Sequence, residues 1–442
     1  MFGSVMLFRD DLHGVIDFRG TPYQDLLYEL LGCPEVQRLR HMRLMNFDAP
    51  HIQDLASARR FPHSIGVSFL AYKLAERSSL TIGERKTLIT AGLLHDVGIL
   101  PFGHLLETII KKKNPTFSHE KLVESILFGN YHPTNKYHQI LVSSSLQLAG
   151  TLRRHGIKSD EVFRLICPPG GSRSAVSADI DIDNIDNVHR MAYLLGYEGV
   201  HENLELILKN IVVDSQMKLR FSSDAIPAIR KWLVMREQIY TMIITHPECV
   251  SYNAFLKFLL INAVESNVID EKTWFLTDSQ FEQNLLDNSS TRSQATWLLS
   301  RPQYELIDYV WFVSTEKPPV SFPLIEEGVS QSDIMEFRLK AQYFFWPESK
   351  LVARETHFQN MQGAQLTVGT DSSSILVSAI ATRDYGRDML GIPEKEKNAW
   401  RVKVIELVKT IAPGWRFWTK FPEDYDERPL LNYFERRQIE LF

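Results

Sequence analysis

From about residue 22 to residue 265, apolar positions recur at three- and four-residue intervals, the spacing of one face of an α-helix. Tyr23 to Leu31, Ser64 to Arg77, Ile82 to Leu94 and Asn184 to Leu195 are the clearest such segments, and few runs alternate with the two-residue period of a strand. The punctuation agrees with helices: Pro62 stands in a first helical turn, and Gly98 and Gly196 follow apolar segments as C-terminal stops. Residues 168–178, PPGGSRSAVSA, read as a loop ahead of an Asp-rich helix that begins near Asp181.

Beyond about residue 266 the texture changes. Asn284 to Gln294 is polar, residues 317–323 contain prolines, and residues 364–380 alternate as strands do. The expected fold is mainly α, a helical bundle over residues 1–265 followed by a smaller mixed α+β region over residues 266–442. The aromatic segments Tyr343-Phe344-Phe345-Trp346 and Trp415-Arg416-Phe417-Trp418 read first as the core of that second region, and otherwise as a surface for oligomerisation or partner docking. Lys111 to Lys113 reads as a solvated helix end.

A chain of 442 residues can hold two or three domains or one enlarged helical domain. Its composition, 44% hydrophobic and 23% charged, makes disorder no default anywhere. The net charge of −5 excludes a chain-wide attraction to a nucleic-acid polymer and favours a small anion as ligand. Cys33, Cys167 and Cys249 are odd in number and far apart, which suits reduced thiols rather than a disulfide framework. Met1 to Phe8 is apolar but lacks a basic flank and runs at once into Arg9, Asp10 and Asp11, so it does not read as a signal peptide. No run reaches the ~18–20 apolar residues of a membrane span. The expectation is a cytoplasmic protein with no membrane partner.

Three separated segments carry metal-ligand chemistry: His63 in RRFPHSIG, the pair His95 and Asp96 in AGLLHDVG, and Asp183 in DIDIDNIDN. Each sits in apolar surroundings where an unpaired imidazole or carboxylate is costly, so something must compensate it. Mixed imidazole and carboxylate donors suit a divalent ion such as Mg, Mn, Fe, Co or Zn and leave positions for water and substrate. Singly, a histidine of this kind is more often a satisfied core or capping residue. An acidic cluster before a helix also favours the helix dipole without any ligand. The whole order, His, then His-Asp, then Asp, is what points to a metal.

That order resembles the HD superfamily. The flanking text, DDLHGVI, PEVQRLRHMR, ARRFPHSIGVSFLA, AGLLHDVGILPFGH, FSHE, DIDNIDNVHR and MREQIYTMIITHP, resembles its deoxynucleoside triphosphate triphosphohydrolase branch over roughly residues 10–250. The resemblance implies His63, His95, Asp96 and Asp183 as metal ligands, and Arg60, His104 and Arg236 as phosphate contacts. It further implies His119 beside an attacking water and Glu107 as the group that orients it. The implied substrate is a nucleotide, a dNTP in that branch, and the implied assembly is a homo-oligomer. The chain departs from the family pattern at Ile99, which stands where a catalytic histidine belongs, and at Asn184, Asn187 and Met191, which replace a lysine, a tyrosine and an aspartate. Leu44 and Gly32 replace residues that sense sugar and an activating base, whereas Arg40 is kept. Two alternatives remain open at this point: phosphodiesterase or phosphatase action on a cyclic or modified nucleotide, and a nucleotide-binding regulator without turnover.

Overall fold

The computed structural model describes residues 6–46, 52–130, 147–245, 247–300, 304–314, 324–325, 327–328, 343–353, 356–369, 372–382 and 393–418. These are mainly helical, with small sheets. Contacts gather the chain into two units that interleave along the sequence: residues 1–236 with 257–296 and 356–368, and residues 237–256 with 297–355 and 369–442.

The first unit opens with a hairpin, β1 (Leu7–Asp10) and β2 (Gly14–Asp17), followed by α1 (Gln24–Leu31), α2 (Pro34–Arg38) and α3 (Gln53–Ser57). Next come α4 (Arg60–Arg77), α5 (Ile82–Leu94), α6 (Gly103–Lys113), α7 (His119–Phe128), α8 (Leu148–Arg154) and α9 (Ser159–Ile166). α10 (Ile182–Leu194) and α11 (Val200–Lys209) lead to a short hairpin, β3 (Ile211–Val213) and β4 (Leu219–Phe221). Of the helices that follow, α14 (Asp278–Asp287) belongs to this unit, whereas α12 (Ile226–Thr245), α13 (Pro247–Glu265) and α15 (Arg292–Ser300) each run across a sequence boundary between the two units.

α4 is the spine of this unit. Val67, Leu70, Ala71, Leu74 and Ala75 are fully buried, a run that only a helix enclosed by neighbours tolerates. α5 starts on a capping box: the Thr81 hydroxyl accepts from Glu84 N at 3.3 Å, and the Glu84 carboxylate accepts from Thr81 N at 2.7 Å. α5 lies against α4 through Gly92. A side chain there would sit 3.1 Å from the Val67 carbonyl and 3.3 Å from Ser68 Cα. α10 packs on another part of α4. Three elements that share one spine thus carry His63, His95 and Asp183.

In the second unit β5 (Tyr304–Ser314), β6 (Tyr343–Ala353), β9 (Ser372–Thr382) and β10 (Arg416–Trp418) form an antiparallel sheet in the order β10-β5-β9-β6. Helix α16 (Glu394–Ile411) completes its core, in which Trp400, Val404, Val408 and Trp415 meet Val310, Phe312, Ile375 and Val377. β7 (Thr356–Asn360) and β8 (Gln365–Val368) join β3 and β4 in a sheet of the first unit, with β4 and β7 parallel.

The described part of residues 22–265 is overwhelmingly helical, as the periodicity predicts; the exceptions β3 and β4 are three residues each, too short for alternation to register. The polar stretch Asn284 to Gln294 lies largely in helix. Its segment is anchored by the Thr277/Gln280 capping box, by buried Phe281 and Leu285, and by buried Thr291, whose hydroxyl donates to the Leu285 carbonyl at 2.6 Å. Residues 317–323 lie outside the described residues. Cys33 and Cys249 are buried and form no disulfide, and burial pushes the Cys33 thiol up to about 12. Among the described residues no helix is long and apolar enough to cross a membrane.

Trp232, on α12, is fully buried. Replacing it with alanine is expected to cost about 3–5 kcal/mol in chemical denaturation, because a large cavity remains. Thr81→Ala, which removes only a cap, costs about 1 kcal/mol. Equal losses would contradict this placement of the core.

Candidate metal centre

His63 lies in the first turn of α4, His95 caps the C-terminus of α5, and Asp183 lies in the first turn of α10. Their donor atoms converge. His63 Nε2 stands 2.9 Å from Asp183 Oδ1 and 3.2 Å from His95 Nε2, and His95 Nε2 stands 3.5 Å from both Asp183 Oδ1 and Asp96 Oδ2. The side chains of His63, His95 and Asp96 are 2%, 7% and 11% exposed against 34% for Asp183, so the cluster opens toward solvent on the Asp183 side.

The far nitrogens of both imidazoles are committed. His63 Nδ1 lies 2.7 Å from Asp186 Oδ1, and His95 Nδ1 lies 2.9 Å from the Gly92 carbonyl. A carbonyl only accepts, and Asp186 is held ionised, so each Nδ1 carries the proton and donates it. Each Nε2 then turns a lone pair into the cluster. Two such lone pairs 3.2 Å apart repel unless a cation or a proton lies between them. Burial opposes charging of His63, but Asp183 and Asp186 outweigh it and its pKa is raised. Burial likewise opposes His95, and Asp96 and Asp183 outweigh it by a wide margin. Burial works against the charge of Asp183 as well, yet His95 and His63 keep its carboxyl below the usual range. The field of this cluster therefore attracts positive charge.

The donor set fits a divalent ion. Ligands about 2.1 Å from a shared metal stand about 3.0–3.4 Å apart at octahedral or tetrahedral angles, close to the separations seen here. His63, His95 and Asp183 form such a group. Asp96 is adjacent, with Oδ2 also accepting from Arg60 Nη1 at 2.7 Å. Burial raises its pKa, but Arg60 and His95 hold it well below the ordinary carboxylate value.

A second group lies after the HD pair. Glu107, 4% exposed on α6, accepts from His119 Nδ1 at 2.9 Å and from His104 Nδ1 at 3.2 Å through one oxygen, while Lys111 Nζ sits 2.7 Å from the other. Because Glu107 only accepts, both imidazoles hold their protons on Nδ1 and leave Nε2 free to take one. Burial opposes charging of His119, but the hydrogen bond and charge of Glu107 outweigh it, and Asp96 adds to the rise. The cluster is brought near the HD turn by Gly98. A side chain at Gly98 would meet Val123 N at 2.7 Å and the His119 carbonyl at 3.0 Å.

The connecting segment is held from outside. Arg38, 1% exposed, donates to the carbonyls of Ile99 (2.8 Å), Phe275 (3.1 Å) and Leu276 (2.9 Å), which gives the first arginine of PEVQRLRHMR a structural task. Asp278 accepts from Phe102 N and Arg43 N at 3.2 and 2.6 Å. Phe102 and Gly103 both take positive φ, 56° and 53°, so that α6 can start toward the site.

Of the phosphate-contact candidates, His104 is the open one, with its side chain 68% exposed. Arg60 is 8% exposed and already donates to Asp96 and to the carbonyls of Arg43 and Leu44. Arg236 is 9% exposed on α12. Three of the departures have local surroundings that the structure describes. Ile99 and Met191 are buried at 1% and 0%, and the Asn184 amide donates to Asp181 at 3.0 Å. Burial and the charge of Asp183 push Asp181 up to about 7.

Asp186 is the residue that motif reading passed over. It stands one turn after Asp183 on α10, and that i, i+3 spacing was the available signal, since it lets one helix grip both nitrogens of His63.

A protein-family model for the HD domain matches residues 60–191, the span that carries His63, His95, Asp96 and Asp183. The uncharacterized protein YwfO of Bacillus subtilis is 24% identical over 262 residues, 58% of this chain and 55% of that one, so the chain spans about half the length of that relative. The deoxynucleoside triphosphate triphosphohydrolase SAMHD1 homolog of Dictyostelium discoideum is 24% identical over 404 residues, 85% of this chain and 75% of that one. The mouse deoxynucleoside triphosphate triphosphohydrolase SAMHD1 is 37% identical over 108 residues, 23% of this chain and 16% of that one. Residues 60–191 thus carry an HD domain, and the chain is distantly similar to SAMHD1 deoxynucleoside triphosphate triphosphohydrolases and to uncharacterized proteins.

Proposed function

We propose that the protein is a metal-dependent phosphohydrolase acting on a nucleotide, and that the substrate is a deoxynucleoside triphosphate, cleaved to deoxynucleoside and triphosphate. One observation carries the metal-dependent part: the facing Nε2 atoms of His63 and His95, 3.2 Å apart, each with its Nδ1 proton committed elsewhere. The choice of dNTP rests on the names of the Dictyostelium and mouse relatives.

His63, His95, Asp96 and Asp183 would hold the ion. When bound it supplies Lewis acidity toward a phosphoryl oxygen and toward water. The chain's own part is proton handling and charge. His119 Nε2, kept free by the Nδ1 hydrogen bond to Glu107, takes a proton from the attacking water. The water oxygen bonds to the α-phosphorus as the bond between that phosphorus and the 5′-oxygen breaks. The 5′-oxygen leaves as the nucleoside hydroxyl by taking up the proton that His119 accepted, which returns His119 to its starting state. The remaining N–H groups of Arg60 and the cation of Arg236 give the phosphates donors, and His104, exposed at the mouth, adds one when its Nε2 carries a proton. Assembly of several copies, suggested by the family resemblance, would be compatible with this chemistry.

The test is product analysis by chromatography on all eight common nucleoside triphosphates with Mg, Mn and Co. Inorganic triphosphate with free deoxynucleoside, abolished by Asp183→Ala, supports the reading. Absence of product from every triphosphate, alone and in mixtures, rejects it. Cleavage of cyclic nucleotides instead would move the assignment to a phosphodiesterase. Replacing His119 with alanine is expected to lower kcat by ~10²–10⁴-fold while metal content stays unchanged. The rate should rise with pH as His119, whose pKa is raised above its ordinary value, loses its proton. Glu107→Gln removes the negative charge responsible and moves that limb to lower pH. A limb that stays in place would detach Glu107 from this role.

A further inference from the structure

The side of His63 that faces away from the cluster opens on a buried polar network that no motif assigns. Asp186 is fully buried, and each of its oxygens accepts two hydrogen bonds. Oδ1 takes His63 Nδ1 at 2.7 Å and Arg190 Nε at 2.9 Å, and Oδ2 takes His13 Nε2 at 2.6 Å and Arg190 Nη2 at 3.2 Å. Four donors fill the roughly four lone-pair directions of a carboxylate, so Asp186 has no freedom to turn.

His13 comes from the loop between β1 and β2. That loop is built to present it: Asp10 Oδ1 accepts from Leu12 N at 3.0 Å and from His13 N at 2.8 Å, and Gly14 closes the turn at φ 69°. Asp10 Oδ2 in turn accepts from Arg190 Nη1 at 2.9 Å, so the same aspartate shapes the loop and completes the ion pair. The side chains of His13, Asp10 and Arg190 are 2%, 4% and 5% exposed. The His13 ring also meets Phe69 of α4 edge-on, with centroids 5.7 Å apart. On α4, one turn after His63, stands Gly66. Any side chain there would collide with the Asp186 carboxylate, the Arg190 guanidinium and His13 Nε2. A helix-interior glycine costs about 1 kcal/mol relative to alanine, so its presence has a reason in this crowding.

We infer that the N-terminal hairpin is part of the metal centre: His13, acting through Asp186, is a positioning residue that sets the ring orientation and tautomer of His63. The inference rests on the reading of His63 as a metal ligand. Partners behind a ligating histidine commonly govern metal affinity by ~10–100-fold. Asp186 supplies the acceptor, Arg190 and Asp10 fix its angle, and His13 occupies the last acceptor direction. The hairpin is thereby tied to residues more than 150 positions away in sequence.

The test is Co²⁺ binding by the metal-stripped full chain, followed by calorimetry and by the visible absorption of bound cobalt. The variants are His13→Phe, His13→Gln, Asp186→Asn and His63→Ala. His13→Phe should weaken Co²⁺ binding ~10–100-fold and shift the cobalt bands, and His13→Gln, which keeps an N–H donor, should recover most of both. A His13→Phe protein that binds Co²⁺ with wild-type affinity and an unchanged spectrum overturns the inference while leaving His63 as a ligand. If the wild type binds no better than His63→Ala, the metal reading itself fails and the inference falls with it. Far-UV circular dichroism checks folding, and should His13→Phe not fold, isosteric Asp186→Asn decides on the same criteria.

Discussion

The structure turns on two imidazole rings that cannot face each other for free. His63 and His95 come from different helices and meet with Nε2 atoms 3.2 Å apart, each having given its only proton to an acceptor behind it. Everything nearby supports that confrontation. Gly92 lets α5 approach α4, the start of α10 brings Asp183 beside both rings, and Arg60 balances Asp96. An arrangement so crowded with acceptors is stable only with positive charge at its centre. A divalent ion fits the spacing of the donors.

Around that centre the fold separates two kinds of task. Behind His63 the Asp186 carboxylate accepts four hydrogen bonds, and the side chains around it, His13, Asp10 and Arg190, are at most 5% exposed, which suits holding a ligand still. On the other side the groups are more open: Asp183 and His104 reach solvent, and His119 is partly exposed with its orientation set by Glu107. Rigid support and an accessible mouth are what hydrolysis of a bound anion requires. The segment between them, residues 96–104, is fixed by Arg38 and Asp278, whose contacts come from parts of the chain remote in sequence.

Much of this could be read from the sequence, and for definite reasons. Long helices such as α4 and α5 announce themselves because burial imposes a three-to-four period over many residues. His63, His95, Asp96 and Asp183 stand out because polar ligands interrupt those apolar runs in a fixed order. What escaped reading is what depends on distance. Nothing local in DDLHGVI says that His13 meets Asp186, and the stretch Asn284 to Gln294 leaves out Phe281, the buried residue that with Leu285 anchors its first helix. The three-residue strands β3 and β4 are too short to carry a period. Ile99 looked like a loss at the catalytic site, yet its side chain packs in the core and its carbonyl anchors Arg38.

The most direct measurement of the central claim is X-ray absorption spectroscopy at the metal edge on cobalt-loaded protein. Two imidazole ligands together with oxygen donors at about 2.0–2.2 Å are expected, and one imidazole should disappear in His63→Ala. A spectrum of solvated cobalt without imidazole scattering, or one unchanged by loss of His63, would contradict the account.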